Sequence, residues 1–330
     1  MQNSKKTKTL ETQRQYEKIL CALDRTAERM VSQGFMTTWP DRPIRLVLAY
    51  LHIETSLAEA SARMYCAALN LMLSDDLSNA SFDAKALLYP EPGPDTMERE
   101  DQLKLLRCQN ARKFPRGAQK KAKSLSAVDR IAIIDALLAN ETSAYAVAAS
   151  LWFMSGSLTG LRPCEWQNAS ITTENRLHLL NAKVSNGRSF GTARTQDLKF
   201  LSESDLAVIR EHLDNVQKSI TSGSGYKSFY NGCRDILRRT SSSIWPGRLR
   251  HPSLYTARHI FAADAKSTFP KEMVAALLGH GSIESAGRHY AHARTGSGSL
   301  MVKPLAEDVH AVQLRNSTQA GPQDNAKANN

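Results

Sequence analysis

The sequence predicts a mainly α-helical protein of two domains, the second of which combines helices with a small three-stranded antiparallel sheet. Over most of the chain, apolar residues recur every three or four positions, which is the spacing of amphipathic helices. Between residues 169 and 201 short strand-like segments replace this pattern, and Asn186-Gly187 marks a tight turn between two of them. The chain has 330 residues, of which 42% are hydrophobic, and this is enough for two cores of ordinary size.

The first domain, residues 10–103, is predicted to be a helical bundle. Its first helix can end at Gly34, and Pro43 lies near the start of a second. Ser56 and Glu59 have the spacing of a capping box that opens a third helix. No residue in these helices is suited to catalysis, so we expect this domain to bind a partner rather than to react.

A basic linker, residues 104–123, separates the two domains. It contains eight basic residues and no acidic one, and the whole chain has a formal net charge of +11. A run of charged residues usually forms a solvent-exposed surface. The charged residues of this run, however, are all basic and lie between two regions of apolar periodicity, which favours contact with the phosphates of a nucleic acid. The residues expected to contact nucleic acid are Lys113, Arg116, Lys120, Lys121 and Lys123.

The second domain, residues 124–312, begins with a helix opened by Ser126. An apolar stretch at residues 144–158 predicts a buried helix, which Gly160 can close in a left-handed conformation before Pro163 starts the next segment. Strands are predicted at residues 170–172, 176–182 and 194–200. Beyond residue 203 helices resume, and the polar residues 313–330 predict a disordered tail.

Composition excludes several classes of protein. No run of 18 apolar residues occurs, so no membrane-spanning helix is expected. Residues 1–9 are polar and basic, which predicts a flexible N-terminus rather than a secretory signal. The five cysteines are scattered without a CxxC pair, which favours a reducing compartment and argues against zinc. The sequence has neither a glycine-rich phosphate loop nor clustered carboxylates, so we expect no metal and no other cofactor.

Four residues of the second domain have the chemistry of phosphodiester cleavage. When an oxygen attacks a phosphodiester, negative charge grows on the equatorial oxygens, and fixed guanidinium groups such as Arg162 and Arg258 can stabilise it. His280 follows a helix that Pro270 and Gly279 delimit, so its imidazole is held in place. Tyr290, expected on a short helix, can act as the nucleophile and conserve the bond energy in a phosphotyrosine. Each feature alone is more often structural, and only their order and spacing favour a site.

These segments together resemble the tyrosine recombinase (phage integrase) family. That family has an arginine in a T-G-L-R-x-x-E segment, found here as TGLRPCE at residues 159–165. It has a lysine on a β-hairpin, here Lys183, and an H-x-x-R-H segment, here YTARH at residues 255–259. An L-G-H segment and a C-terminal tyrosine follow, here at residues 277–280 and at Tyr290.

The resemblance also extends to the first domain. Residues 12–30 and 58–73 are similar to the helical, SAM-like core-binding domain of the family, which binds DNA. Only residues 75–120 and the tail lie outside the similarity. It implies that the second domain is the catalytic domain of a tyrosine recombinase.

The resemblance implies a role for each site residue. Tyr290 attacks the scissile phosphate and becomes joined to the 3′ end, while Arg162 and Arg258 hold the non-bridging oxygens. Lys183 donates a proton to the departing 5′ oxygen, and Lys199 on the following strand is the alternative lysine. His280 donates a hydrogen bond to the phosphate. The residues expected to orient the site rather than to react are Glu165 and His259.

One position departs from the family pattern. Tyr255 stands where the family has the histidine that is thought to help take the proton of the nucleophile. A tyrosine, with a pKa of about 10, is a poor base at neutral pH but can still donate a hydrogen bond. We therefore place Tyr255 among the catalytic residues as a hydrogen-bond donor to phosphate, and proton transfer is the step that this difference affects.

The resemblance also implies the partners. The chain is expected to bind double-stranded DNA with a short inverted-repeat core site and to act as a homotetramer on two such sites. An accessory DNA-binding protein takes part in some systems, and no membrane is involved. We expect the segment 300–312 to pack on a neighbouring subunit, because its apolar residues would otherwise face water. The expected location is the cytoplasm, in association with the bacterial nucleoid. Because helices begin near residue 10, we expect short core sites rather than distant arm sites.

Other functions remain open at this point. A DNA-binding protein of this fold that no longer cuts would lack the nucleophile or an arginine, and both are present. A type IB topoisomerase shares the site chemistry, but the Leu-Gly-His segment and the chain length favour a recombinase. A telomere resolvase, which forms hairpin ends, is a further alternative. A zinc-binding regulator that used His280, His289 and His292 has no supporting cysteine pattern. The biological role, whether integration, excision or cointegrate resolution for a mobile element, is not in the sequence.

Overall fold

The computed structural model describes residues 10–35, 41–90, 121–182, 184, 188–223, 225–285, 287, 290, 292–293, 296 and 298–319. The chain forms two compact units, residues 1–119 and 120–330, and each has its own hydrophobic core. The mainly α-helical fold class that the sequence predicts is confirmed. In the described ranges no helix is both long enough and apolar enough to cross a membrane.

The first unit is a small helical bundle. Its described residues form α1 (Leu10–Ser32), α2 (Arg42–Ile53), α3 (Glu59–Asp75) and α4 (Asn79–Leu88), with a 3-10 turn at Glu54–Ser56. Leu23, Leu46 and Leu69 are fully buried where α1, α2 and α3 meet, as the apolar periodicity predicts.

Two predicted boundaries of this unit have different outcomes. Gly34 has a left-handed φ of +78°, and its backbone N–H donates to Val31 O just beyond α1, so this predicted end is confirmed. The predicted capping box at Ser56 is wrong, because Ser56 lies in the 3-10 turn and donates to Ile53 O, while Ala58 precedes α3.

The second unit is built around one buried helix, α6. The unit contains α5 (Ala127–Leu138), α6 (Ala146–Thr159), a 3-10 turn at Pro163–Asn168, α7 (Glu203–Thr221), α8 (Gly225–Ile244), α9 (Leu254–Thr268) and α10 (Lys271–Leu278). Helix α6 packs against α5, α7, α8 and α9. Trp152 of α6 lies against Tyr226, Phe229 and Tyr230 of α8, with ring centroids 5.5–6.0 Å apart. A helix that is apolar on all sides is surrounded in this way because every face needs a partner.

One antiparallel sheet flanks the helices. Its strands are β1 (Ser170–Ile171), β2 (Arg176–Leu180), β3 (Ala193–Asp197) and β4 (Lys303–Pro304), in the order β1-β2-β3-β4. The three predicted strands are present, although β2 and β3 end earlier than expected. The fourth strand was missed because two residues that include a proline have no detectable alternation. The predicted Asn186-Gly187 turn lies outside the described residues.

The C-terminal segment packs on its own chain. After β4, helix α11 (Ala306–Gln319) lies against α10, and Val312 is buried with Ala275 and Ala276. Asp308 of α11 accepts a hydrogen bond from the backbone N–H of Thr195 in β3 at 2.8 Å. The expectation that the apolar residues of segment 300–312 would otherwise face water is therefore wrong for Val302 and Val312, which are buried, whereas Met301 is 52% exposed. The predicted disordered tail also begins too early, because residues 313–319 continue α11.

Candidate active site

Arg162 is held by a sharp turn at the end of α6. Gly160 ends the helix in the left-handed region at φ +66°, and its backbone N–H donates to Gly156 O at 2.9 Å. A Cβ at this position would collide with the ring of Phe261, so only glycine allows this close approach. Arg162 follows in an extended conformation with 5% of its surface exposed, and Pro163 then opens the 3-10 turn.

Glu165 is a buried carboxylate to which three guanidinium groups point. It accepts from Arg162 Nη1 at 2.5 Å and Arg194 Nη2 at 2.8 Å, and Arg258 Nη1 lies 3.7 Å away. Burial opposes ionisation, but Arg194, Arg258 and Arg162 outweigh it and hold the pKa of Glu165 well below its usual range. One carboxylate therefore faces three permanent cations, which leaves two positive charges unbalanced within the cluster.

Arg258, on the first turns of α9, uses its guanidinium to join three parts of the site. Its Nη1 donates to Gly160 O at 2.5 Å and its Nη2 to Leu278 O at 2.7 Å. Its Nε donates to the hydroxyl oxygen of Tyr290 at 2.9 Å. The side chain is completely buried, so its orientation is determined by these bonds.

His280 is placed by the end of α10. Gly279 adopts a left-handed φ of +64°, and the backbone N–H of His280 donates to Ala275 O at 2.9 Å. Burial, reinforced by Arg258, Arg162 and Arg194, lowers the pKa of His280 to about 2, so its imidazole is neutral. Its Nε2 lies 3.5 Å from Arg258 Nη2, and its buried Nδ1 has no hydrogen-bond partner among the described residues.

Tyr290 and Tyr255 form a hydrogen-bonded pair. Their hydroxyl oxygens are 3.0 Å apart, and their rings stack at an interplanar angle of 23°. Burial alone would raise the pKa of Tyr290, but the charges of Arg258 and Arg162 and the hydrogen bonds from Tyr255 and Arg258 lower it below its ordinary value. Burial raises the pKa of Tyr255 to about 12. Tyr290 is therefore the more acidic of the two, so that Tyr255 is the hydrogen-bond donor once Tyr290 is ionised.

The position of Tyr290 differs from the predicted one, and His259 lies beside it. Tyr290 lies at a bend rather than within a helix, and 8% of its surface is exposed. The centroid of the His259 ring is 5.3 Å from that of Tyr255 and 5.2 Å from that of Tyr290. Burial, together with Lys123, Arg258 and Lys266, lowers the pKa of His259 to about 4. Both tyrosines thus have a neutral imidazole as a neighbour.

The structure does not show where the predicted catalytic lysine lies. Lys183 lies outside the described residues. The alternative, Lys199, follows β3, is half exposed and pairs with Asp197 at 3.6 Å. No hydrogen bond between the described residues joins Lys199 to the buried cluster.

Two of the predicted nucleic-acid contacts lie close to the start of α9. Lys121 and Lys123 are exposed, and Lys121 forms a parallel bridge with His251. Between them, Ala122 O accepts a hydrogen bond from Thr256 Oγ1 at 2.8 Å. Lys113, Arg116 and Lys120 lie outside the described residues.

Arg194 belongs to the cluster and was not among the predicted site residues. It lies on β3, and its guanidinium is fully buried against Glu165. A charged residue at an inward-facing position of a strand is the signal that identifies it, but that position is evident only once the register of β2 and β3 is known. Within the described part of the chain no cluster of three His, Cys, Asp or Glu side chains could hold a metal ion.

Comparison with known proteins gives similarities of structure only. No family model matches the chain, and no curated protein matches its sequence. The chain is similar to the crystal structure of XerA recombinase, at 15% identity and a TM-score of 0.36, over 96% of this chain and 94% of that one. It is also similar to the Tn1549 transposon integrase in complex with transposon right end DNA, at 12% identity and a TM-score of 0.40, over 90% and 93% of the two chains. The functional proposal therefore rests on the geometry of the buried cluster.

Proposed function

We propose that this chain is a site-specific recombinase that breaks and rejoins DNA strands, with Tyr290 as the nucleophile. The observation that carries the proposal is the hydrogen bond from Arg258 Nε to the Tyr290 hydroxyl oxygen at 2.9 Å, inside a site with unbalanced positive charge. A guanidinium in this position stabilises the phenolate that must form before attack. The lowered pKa of Tyr290 agrees with this role.

The charge of the cluster fits a phosphodiester. The negative charge of Glu165 balances one of the three guanidinium groups, so two positive charges remain. The five-coordinate transition state of phosphoryl transfer carries about two negative charges on its oxygens. A neutral or cationic substrate would leave these buried charges unbalanced, which is costly in a site that excludes water.

We propose that two buried polar atoms of the site bind the phosphate. Arg162 Nε and His280 Nδ1 have no hydrogen-bond partner among the described residues. A buried donor without a partner costs about 1–3 kcal/mol, so such atoms are usually satisfied by a ligand or water. Phosphate oxygens, which accept several hydrogen bonds each, would satisfy both.

The proposed reaction has two reversible steps. Tyr290 Oη attacks phosphorus, the bond to the 5′ oxygen breaks, and the 3′ end is left as a phosphotyrosine. Lys183 is the proposed donor of the proton to the departing 5′ oxygen. The proton of Tyr290 passes to water or to the phosphate, because Tyr255 already holds its own. In the reverse step a 5′ hydroxyl attacks the phosphotyrosine and rejoins the strand without an external source of energy.

The proposed partner is double-stranded DNA with a short inverted-repeat core site, bound by a homotetramer on two sites. The net charge of +11 and the exposed Lys121 and Lys123 beside α9 support an anionic partner. Integration, excision or cointegrate resolution for a mobile element is the proposed role, in the cytoplasm and on the nucleoid, with an accessory protein where assembly needs one.

The test is covalent capture from a library of short DNA duplexes. Each duplex has a randomised segment with one nick, so that cleavage near the nick releases a short fragment and traps the adduct. DNA that stays with the protein after denaturation is sequenced. We expect an enriched inverted-repeat sequence with the unaltered chain and with Arg210→Met, an exposed arginine control. Neither Tyr290→Phe nor Arg162→Met should retain DNA.

Two results would contradict the proposal. Failure of the unaltered chain to retain any DNA would exclude cleavage through a covalent intermediate. Relaxation of supercoiled plasmids that lack the captured sequence would show a type IB topoisomerase activity instead of site-specific recombination.

A further inference from the structure

Arg194 occupies a position where a charge is costly unless it is fully paired. Its side chain is completely buried on the inner face of β3. Removing an ionised group from water costs several kcal/mol, so a guanidinium persists there only with partners of good geometry. Arg194 has them, because its Nη2 donates to Glu165 Oε2 at 2.8 Å and its Nε to Leu277 O at 3.0 Å. Its Nη1 donates to Glu165 Oε1 at 3.2 Å and also to Asn181 Oδ1.

The orientation of Arg162 depends on Glu165, and that of Glu165 depends on Arg194. The only hydrogen bond that the Arg162 guanidinium makes with described residues goes to Glu165 Oε1, and Glu165 Oε2 accepts the Arg162 backbone N–H at 2.8 Å. Without Arg194, the carboxylate would lose the forked pair of bonds that fixes its plane. Arg162 Nε would then no longer point in one direction.

The same guanidinium also secures the segment that carries His280. Leu277 O, which accepts from Arg194 Nε, lies in the last turn of α10. A Cβ at Gly279 would come within 2.6 Å of Arg194 Nη1, so the guanidinium packs directly against the left-handed residue before His280. Arg194 thus contacts both segments whose buried atoms are free to bind phosphate.

We propose that Arg194 is a positioning residue, whose guanidinium aligns Arg162 through Glu165 and His280 through the end of α10 for binding to one phosphate. This inference rests on the proposed function, and Arg194 itself does not react. Its donors are turned toward Glu165, Leu277 and Asn181, and no hydrogen bond among the described residues joins it to either tyrosine.

The first test compares Arg194→Lys with the control Arg210→Met on the duplex obtained by covalent capture. Lysine keeps the charge but cannot donate a forked pair of hydrogen bonds. We expect adduct formation to slow roughly 10- to 100-fold, which is the effect of a small misplacement of catalytic groups. DNA affinity should change less than about twofold, because phosphate contacts outside the site provide most of it.

The pH profile separates positioning from mere support of the fold. Besides Arg194, the charged or titratable groups that face Glu165 are Arg162, Arg258, His280 and Cys164. In Arg194→Gln the pKa of Glu165 should rise, since the strongest favourable charge is gone. Adduct formation by this variant should therefore show a second fall as the pH is lowered through the new pKa of Glu165, in addition to the fall that protonation of Tyr290 causes in the unaltered chain. If Arg194 only supported the fold, Arg194→Gln would lower Tm without adding a second fall to the pH profile of adduct formation.

A double variant guards against simple unfolding. Glu165→Gln combined with Arg194→Gln removes one charge of each sign, so that the cluster keeps the same excess of two positive charges, on Arg162 and Arg258, and we expect it to fold. It should bind DNA but form adduct at the slow rate of Arg194→Lys. Adduct formation within twofold of Arg210→Met, in a folded chain, would overturn the role of Arg194.

Binding of inorganic phosphate, which can be measured without DNA cleavage, distinguishes the positioning role of Arg194 from the proposed recombinase function. Inorganic phosphate should raise Tm of the unaltered chain by binding at Arg162 and His280, and Arg194→Lys should bind it at least about tenfold more weakly. Phosphate binding that needs Arg194, without adduct formation by the unaltered chain, would support the positioning role and contradict the proposed function. Equal phosphate binding by Arg194→Lys and Arg210→Met would overturn the positioning role.

Discussion

The hydroxyl oxygens of Tyr255 and Tyr290 lie 3.0 Å apart, and Arg258 Nε donates to the Tyr290 oxygen at 2.9 Å. The position where the family that the sequence resembles has a histidine thus holds a phenol that contacts the candidate nucleophile directly. Tyr255 was expected to contact phosphate, but this geometry makes it a partner of Tyr290. Its effect is on the acidity of the nucleophile, because its proton stabilises the Tyr290 phenolate.

We expect Tyr255→Phe to slow adduct formation by about 10- to 100-fold, because a hydrogen bond to a charged group contributes about 1.5–3 kcal/mol. Loss of this donor raises the pKa of Tyr290, so the rate should also need a more alkaline pH to reach its maximum. Tyr255→His restores a donor and should recover most of the rate. The measurement is single-turnover adduct formation between pH 6 and about pH 10. A rate unchanged by Tyr255→Phe would show that the two hydroxyl groups do not interact during the reaction.

Tyr290→Phe should fold, bind DNA and form no adduct. The ring remains to pack beside Arg258 and His280, and only the nucleophilic oxygen is lost. Denaturing gels with the trapping duplex measure the adduct, and Tm monitors the fold. If the adduct persisted in Tyr290→Phe and vanished in Tyr255→Phe, the nucleophile would be Tyr255.

His212 of α7 should make the protein less stable in acid. It is completely buried between Trp152 and Trp166, with ring centroids 5.1 and 4.5 Å away, and neither ring nitrogen has a hydrogen-bond partner among the described residues. Burial lowers the pKa of His212 to about 3. The unfolded chain therefore binds the proton first, so the stability that neutral His212 contributes is complete above pH 6.5 and is lost as the pH falls toward 3.

His212→Leu is the variant that tests this acid sensitivity. At pH 5 the protonation of His212 in the unfolded chain should cost about 2 kcal/mol, and His212→Leu should reduce the loss of stability between pH 7.5 and pH 5 by about that amount. Urea unfolding at the two pH values measures it. The same pH dependence in His212→Leu and in the unaltered chain would show that other groups, such as His259, determine it.

Gly160→Ala should destabilise the second unit by roughly 2–4 kcal/mol, through left-handed strain together with the clash against Phe261. Gly223→Ala is a matched control, because Gly223 is also left-handed at φ +74° but has open space where the Cβ would lie. The control should cost only about 1–2 kcal/mol. Urea unfolding measures both, and equal losses would show that the Phe261 side chain relaxes freely. Gly160→Ala should also slow adduct formation, since Gly160 O orients Arg258.

Replacement of Lys120, Lys121 and Lys123 by glutamine should weaken DNA binding for all sequences. For each lysine that pairs with a phosphate, its replacement should reduce the slope of log affinity against log salt concentration by about one unit. Binding titrations from about 50 to 200 mM salt measure the slope. Glutamine at the exposed Lys218 and Lys227 provides a control, and a triple variant with the control slope would mean that the linker lysines do not bind DNA.

The sequence by itself determined the local features of this protein. The helical periodicity, the left-handed ends at Gly160 and Gly279, and the order of Arg162, Arg258, His280 and Tyr290 along the chain are all visible in it. Each depends on residues close together in sequence, whose geometry follows from backbone sterics and the burial of one apolar face.

Only the tertiary structure decided which distant side chains meet. Arg194 pairs with Glu165 across 29 positions, Tyr255 meets Tyr290 across 35, and Asp308 binds the backbone of Thr195 across 113. β4 and the packing of α11 on its own chain likewise exist only when β3 and α10 are in place. Such pairings leave no periodic signal, because they depend on how elements pack against each other rather than on the pattern within any one of them.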